Sequence, residues 1–85
     1  MNHFTTPDFW KLYDSLSPEI QLIANKNFEL LKQNPNHSSL HLKKVGTYWS
    51  ARVGREHRVL AQEIEAGLLW FWIGLHDEYE RVIRR

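Results

Sequence analysis

YWSARVGREHR (Tyr48–Arg58), followed after one more apolar segment by IGLHDEY (Ile73–Tyr79), decides how this chain reads. In the first stretch Trp49, Ala51 and Val53 alternate with Tyr48, Ser50 and Arg52, the two-residue period of a strand with one buried face. Gly54 opens a turn, and His57 to Ile64 reads as the returning strand. The second stretch closes an apolar strand, Leu68 to Ile73. That strand is apolar on both faces, which predicts a central position with cover on both sides. Arginines at fixed spacing, with a histidine and a tyrosine just past a strand end, are the side chains a small protein needs to hold a phosphodiester and move its protons.

Working outward, Gly46-Thr47 and Glu65-Ala66-Gly67 are the remaining turns. Leu40 and Leu42, alternating with His41 and Lys43, predict one more strand. Before that the period changes to that of a helix. Thr6 is an N-cap with Pro7 at the first helical position and Asp8 in the first turn, and Phe9, Leu12, Tyr13 and Leu16 form one stripe. Ser17, Pro18 and Glu19 repeat the start, with Ile20, Ile23, Ala24, Phe28 and Leu31 as the stripe and Asn34-Pro35 as the stop. Two helices joined with almost no loop predict an antiparallel hairpin. Asp77 to Arg84 reads as a short terminal helix. The expected fold is α+β, an N-terminal helical hairpin packed on an antiparallel β-sheet, in a single domain spanning 1–85. The helices cover one sheet face. Tyr48, Ser50, Arg52 and one side of the tryptophan strand lie on the other, and no remaining segment is long enough to cover it. An open aromatic and basic surface is therefore expected.

With 85 residues, roughly 60–65% of the unfolded surface can be buried, enough for one core. Four tryptophans, four phenylalanines and three tyrosines make that core aromatic. There is no cysteine, hence no disulfide and no thiolate ligand, which fits a reducing compartment. The longest apolar run, Leu68 to Ile73, is far short of a membrane span, and MNHFTTPDFW lacks the charged region and apolar block of a signal peptide. A soluble, cytoplasmic protein with no membrane partner is expected. Net charge is only +1, but residues 41–60 carry Lys43, Lys44, Arg52, Arg55 and Arg58 against Glu56 alone. A local basic patch in a near-neutral chain suits a site that meets phosphate without coating nucleic acid.

Arg52 alternates away from Trp49, Ala51 and Val53, so it points to the open face, and Arg58 lies across the hairpin from it. Two guanidiniums so placed can grip one phosphate and stabilise a pentacoordinate phosphoryl transition state; the same residues also suit a solvated strand surface. His76 can exchange a proton near neutrality, and Tyr79 can stack on a base or donate its hydroxyl to a phosphate oxygen. A terminal helix with Tyr79 packed on the sheet is the other reading of that pair. Lys43 and Lys44, with Arg55, are candidates for attracting a polyanion, or lysines that blunt a strand edge. His37 and His41 are four apart but lie in loop and strand with no third ligand nearby, so no metal and no other cofactor is expected. His3 and His57 receive no role.

The order of these pieces resembles the RelE/ParE superfamily of bacterial type II toxins. The resemblance covers nearly the whole chain and rests on FTTPDFWKLYDSLSPEIQ for the helices, NPNHSSLHLKKV for the entry to the sheet, WSARVGREHR for the W-x-x-R-V-G…R hairpin, and IGLHDEY for the last strand and exit. The family opens with a short strand, for which His3-Phe4-Thr5 is the only candidate. The resemblance implies a growth inhibitor held inactive by a cognate antitoxin. In the RelE-like branch it implies an endoribonuclease that cuts mRNA in the ribosomal A site. By position Arg52 and Arg58 match that branch's basic hairpin residues, His76 a post-strand arginine or histidine, and Tyr79 the C-terminal tyrosine. Ser50 departs from it, standing where ribosome-dependent members carry a lysine. The ParE-like branch shares the fold but poisons DNA gyrase, without this set; His76 and Tyr79 favour the nuclease branch. A degenerate interaction domain is the third reading. The mechanism expected of the nuclease is metal-independent attack by the ribose 2′-OH on the adjacent phosphate.

Overall fold

The structure, a computed structural model, describes residues 2–84. Its elements run β1 (His3–Thr5), α1 (Pro7–Asp14), α2 (Pro18–Gln33), a 3₁₀ turn (Ser38–Leu40), β2 (Lys43–Val45), β3 (Tyr48–Val53), β4 (His57–Ile64), β5 (Gly67–Leu75) and α3 (His76–Ile83). The fold is α+β. Five strands form one sheet in the order β1-β5-β4-β3-β2, with β1 parallel to β5 and every other pair antiparallel. The apolar strand β5 is central, as its two apolar faces require, and His3-Phe4-Thr5 is the short opening strand. Among the described residues no helix is long and apolar enough to cross a membrane.

Both long helices begin where their caps dictate. Thr6 Oγ1 accepts the Phe9 N–H at 3.1 Å, with Pro7 at the first position. Ser17 Oγ does the same for Ile20 at 3.4 Å, ahead of Pro18. Each oxygen satisfies a donor that the first turn leaves free, and Asp8 and Glu19 sit at the positive dipole ends. Tyr13 ties the two helices together: its hydroxyl donates to Asn25 Oδ1 at 2.7 Å, and its carbonyl accepts from Gln21 Nε2 at 3.0 Å. α1 lies against β5 and α2 against β3. The core between helices and sheet holds Phe9, Leu31, Leu40, Ala51, Val53, Ala61, Leu68, Trp70 and Ile73. Phe28, expected in the α2 stripe, is instead exposed, with the Lys32 ammonium 4.8 Å above its ring.

Two features of the sheet depart from simple alternation. The strand expected from Leu40 begins only at Lys43. Leu40 closes the 3₁₀ turn, which His37 caps through Nδ1, and His41 follows in the left-handed region at φ 46°. In β5, Leu60 is paired with Trp72 but Ala61 with Trp70, so Phe71 is an extra residue in a β-bulge. Leu68, Trp70 and Ile73 consequently all reach the helix-covered core, although 70 and 73 differ by an odd number. Phe71 turns to the other face, where its ring lies 5.2 Å from that of Tyr48.

The second face is not open, which corrects the expectation from sequence. α3 packs on it against β4 and β5. Ser50 and Leu60, on that face, are 0% exposed, and Tyr79 is buried at 4%. Tyr79, Val82 and Ile83, spaced i, i+3 and i+4, supply α3 with enough of an apolar stripe to dock. Ser50 Oγ has no hydrogen-bond partner. An ammonium at position 50 would therefore be buried in this chain rather than offered to a ligand.

β1 is held by a contact absent from the sequence reading. Trp70 Nε1 donates to His3 Nδ1 at 3.0 Å, and the two rings stack with centroids 6.0 Å apart. Burial first, then the positive charges of the amino terminus and Lys32, holds the His3 imidazole below its ordinary value of 6.5. The unfolded chain thus takes up a proton at His3 before the folded chain does, so this contribution to stability is complete above pH 6.5 and is lost as pH falls through 6.5 toward the lowered folded value. The thermal midpoint should decline over that window. In His3→Gln, which keeps an acceptor for Trp70 but does not titrate, this part of the decline should be missing.

Candidate active site

The β3–β4 hairpin places the arginines. Gly54 takes φ 64°, a left-handed conformation that glycine adopts without strain, and the register that follows makes Arg52 and Arg58 direct partners across the two strands. Cross-strand partners project from the same face, and like charges so placed repel. Among the described residues neither guanidinium has a carboxylate within ion-pair distance. Two adjacent cations are left without a counterion, a local conflict of the kind that functional sites carry.

Each guanidinium has a distinct setting. Arg58 lies over the Tyr79 ring, Cζ to centroid 5.4 Å, and its Nη1 is buried with no acceptor among the described residues. Arg52 reaches the other way, Nη1 lying 3.4 Å from His41 Nε2. Its backbone carbonyl accepts from Asn27 Nδ2 at 2.9 Å, which ties the end of β3 to α2. Beside Arg58 its partner on β5 is Gly74. A Cβ there would meet the Trp72 indole at 2.7 Å, so the glycine gives that indole room to lie along the strand.

His76 is the first residue of α3. Its backbone N–H donates to the Glu56 carbonyl at 2.7 Å, which pins the helix start to the β3–β4 turn. Its ring stacks on Tyr79 with centroids 5.4 Å apart, and Nε2 lies 3.3 Å from Glu80 Oε1. Arg58, Tyr79 and His76 are therefore joined in one run of side-chain contacts at one end of the sheet, and Arg52 stands across the hairpin as the strand partner of Arg58. Of the two readings of Tyr79, the structure takes the packed one: the ring is buried, in contact with the Arg58 guanidinium and the His76 imidazole, and is not free to stack on a base. Tyr79 stands here as the platform under the guanidinium.

The remaining basic residues divide. Lys43 is the partner of Ser50 and shares the arginine face, whereas Lys44 is the partner of Trp49 and points to the opposite one, its Nζ 6.0 Å from the Trp49 ring centroid. Arg55 is exposed on the hairpin turn beside the site. His57, the partner of Val53, lies on the helix side, away from Arg58. His41 and Glu80 are the residues that sequence reasoning missed. His41 could have been found from register: Lys43 opposite Ser50 carries back to His41 beside Arg52. A cavity of about 130 Å³ lies on the other side of the sheet, among Phe9, Leu31 and Trp70. Its lining is mostly the apolar core, with Asn27 and Arg52 also bordering it.

No family model matches the sequence, and no curated protein matches it at a significant level. Solved structures do match. A YoeB/ParE toxin from Agrobacterium tumefaciens superposes with a TM-score of 0.68 at 19% identity, over 89% of this chain and 99% of that one. The RelB-RelE antitoxin-toxin complex from Methanococcus jannaschii contains a chain matching at 0.67 and 18%, over 93% and 96%. YafQ from E. coli matches at 0.69 and 14%, over 92% and 96%. The chain has the fold of RelE, YoeB and YafQ toxins over almost its full length.

Proposed function

We propose that this chain is the toxin of a type II toxin-antitoxin pair in the RelE/ParE superfamily. In this reading it is a metal-independent endoribonuclease that cuts mRNA at the ribosome and is restrained by a cognate antitoxin. The observation that carries the reading is the cross-strand pair Arg52 and Arg58, neither of which has a carboxylate within ion-pair distance among the described residues. A phosphodiester supplies the missing charge. The likeness of fold to toxins, including chains solved with their antitoxins, supports the same conclusion.

In the reaction the ribose 2′-oxygen attacks the adjacent phosphorus and the 5′-oxygen departs, leaving a 2′,3′-cyclic phosphate. The nucleophile belongs to the substrate, so no protein nucleophile is required. Arg58 and Arg52 neutralise the phosphoryl oxygens as charge builds. His76 exchanges a proton with a reacting oxygen. Tyr79 holds Arg58 in place. Lys43 and Arg55 draw the RNA backbone to the face, through a contribution that weakens with salt. A chain this small cannot enclose its substrate, and the ribosome supplies the positioning.

The test is expression in cells with mapping of mRNA 5′ ends. Codon-phased cuts are expected from the natural chain. Arg58→Ala should lower their rate by about 10²–10³-fold, the usual cost of removing one transition-state donor, and His76→Ala should also suppress them. Growth arrest with intact mRNA and loss of gyrase supercoiling would move the assignment to the ParE-like alternative.

A further inference from the structure

The proposed cleavage needs two proton carriers, one for the attacking 2′-oxygen and one for the departing 5′-oxygen. His76 is one imidazole. The structure brings a second to the opposite end of the arginine pair. Resting on the ribonuclease reading above, we infer that His41 is the general base of this site and His76 its general acid.

The first ground is position across the sheet. Arg52 and Arg58 are partners on β3 and β4. His41 enters β2, the neighbour of β3, on the row that ends at Arg52, whereas His76 leaves β5, the neighbour of β4, just beyond Gly74, the partner of Arg58. All four stand at one end of the sheet in the order His76, Arg58, Arg52, His41. They span three inter-strand spacings, about 14 Å between the outer backbones; His41 meets Arg52 directly, and His76 adjoins Arg58 through the Tyr79 ring that both touch. In-line displacement requires the base and the acid on opposite sides of phosphorus. This row provides that, with the charge-neutralising groups between them.

The second ground is the hydrogen-bonding role of each nitrogen. A guanidinium only donates. Arg52 Nη1, 3.4 Å from His41 Nε2, therefore addresses a nitrogen that carries no hydrogen. His76 Nε2 lies 3.3 Å from Glu80 Oε1, a carboxylate that suits the imidazolium form of the ring. One bare nitrogen and one protonated nitrogen are what the first step consumes. The third ground is the backbone. His41 is the single non-glycine residue with positive φ among the described residues, at 46°. That conformation takes the chain from the 3₁₀ turn into the row of Arg52, and the residue is exposed to an incoming ligand. Strained backbone of this kind concentrates at functional positions.

The step balances as follows. His41 Nε2, released when phosphate engages Arg52, takes the hydrogen of the 2′-OH. The 2′-oxygen forms its bond to phosphorus, the bond from phosphorus to the 5′-oxygen breaks, and that oxygen takes the Nε2 proton of the His76 imidazolium, whose ring is left neutral. The products are a 2′,3′-cyclic phosphate and a 5′-hydroxyl, and exchange with water restores both imidazoles. Among the described residues Arg52 is the charged group that meets His41, with Lys43 two residues on along the same face. His76 contacts Glu80 and Tyr79, with Arg84 3.8 Å from the other Glu80 oxygen and Arg58 across the Tyr79 ring.

The experiment uses the full chain on ribosomes programmed with an mRNA whose scissile link carries either the natural 5′-oxygen or a bridging sulfur, which departs without a proton. Absence of cleavage of the oxygen substrate by the natural chain would overturn the ribonuclease reading itself. Given cleavage, His41→Asn is the informative variant. Asparagine tolerates positive φ and can still accept from Arg52, but it cannot take the proton. Its rate should fall by about 10²–10⁴-fold on both substrates, with an unchanged thermal midpoint and loss of the low-pH limb of the rate profile. His76→Asn should fall on the oxygen substrate and recover on the sulfur one. Wild-type rates in His41→Asn, or its rescue by sulfur, would overturn the assignment. On the natural chain the sulfur substrate should abolish the high-pH limb alone, a result that needs no variant to fold.

Discussion

Tyr79→Ala is expected to lower stability by about 3–5 kcal/mol, the usual cost of truncating a buried aromatic to alanine, and to release α3 from the sheet. The ring is 4% exposed and is the one buried residue of α3. Its ring meets both the Arg58 guanidinium and the His76 imidazole. Against a total stability of about 5–15 kcal/mol for a domain, that loss removes much of the margin. Urea denaturation followed by tryptophan fluorescence should show a lower midpoint, and hydrogen exchange should speed first in α3. Tyr79→Phe should behave differently. It keeps the ring, the stack and the cation–π contact, so stability and cleavage should both stay near those of the natural chain. Equal damage from the two substitutions would instead assign the work to the hydroxyl, and the platform role would be wrong.

The second large effect is expected at Gly67. This residue takes φ 152°, which residues with a side chain rarely adopt, and a Cβ there would collide with the backbone oxygen of Asn2. That oxygen accepts the Leu68 N–H at 3.0 Å, the bond at the head of the β1–β5 pairing. Gly67→Ala must either distort the turn or push β1 off the sheet. A cost of about 3 kcal/mol or more follows from backbone strain with lost pairing. The change should also disturb Trp70, whose indole is held by His3. Gly46→Ala is the internal control. Gly46 also has positive φ, 62°, but nothing lies within 4 Å of an added Cβ. Its cost should be the left-handed penalty alone, about 1–2 kcal/mol. Comparable losses in the two variants would show that the contact with Asn2 does not matter.

The parts of this fold legible in the sequence are those written locally. Thr6-Pro7 and Ser17-Pro18 announce helices through caps that use neighbouring atoms only. The alternation from Tyr48 to Val53 states which side chains face the helices, and it places Arg52 opposite Arg58 once Gly54 turns the chain. What was illegible depends on partners distant in the chain. β1 is three residues long, too short for any period, and exists because β5 offers an edge and His3 meets Trp70. The docking of α3 depends on Leu60, Ser50 and Trp72 making a surface that three apolar residues can cover. His41 joined the site because a 3₁₀ turn ends there in a left-handed residue, where smooth alternation had predicted continuous strand. Lys43 and Lys44 were read together as one patch, although consecutive residues of a strand must diverge.

The extra residue at Phe71 gives β5 a property resembling a reading frame. Upstream of it, even-numbered side chains enter the helix-covered core; downstream, odd-numbered ones do. Removing Phe71 would close the bulge into a regular ladder and leave Trp70 and Ile73 on the core side, with Gly74 still beside Arg58. Removing Ile73 instead would bring Gly74 opposite Val59, away from Arg58, and turn over every residue beyond the cut. The strand can absorb a change of length at the bulge but not beyond it. The spacing from Trp72 to His76 is therefore a dimension of the candidate site, as much as the identity of any residue in it.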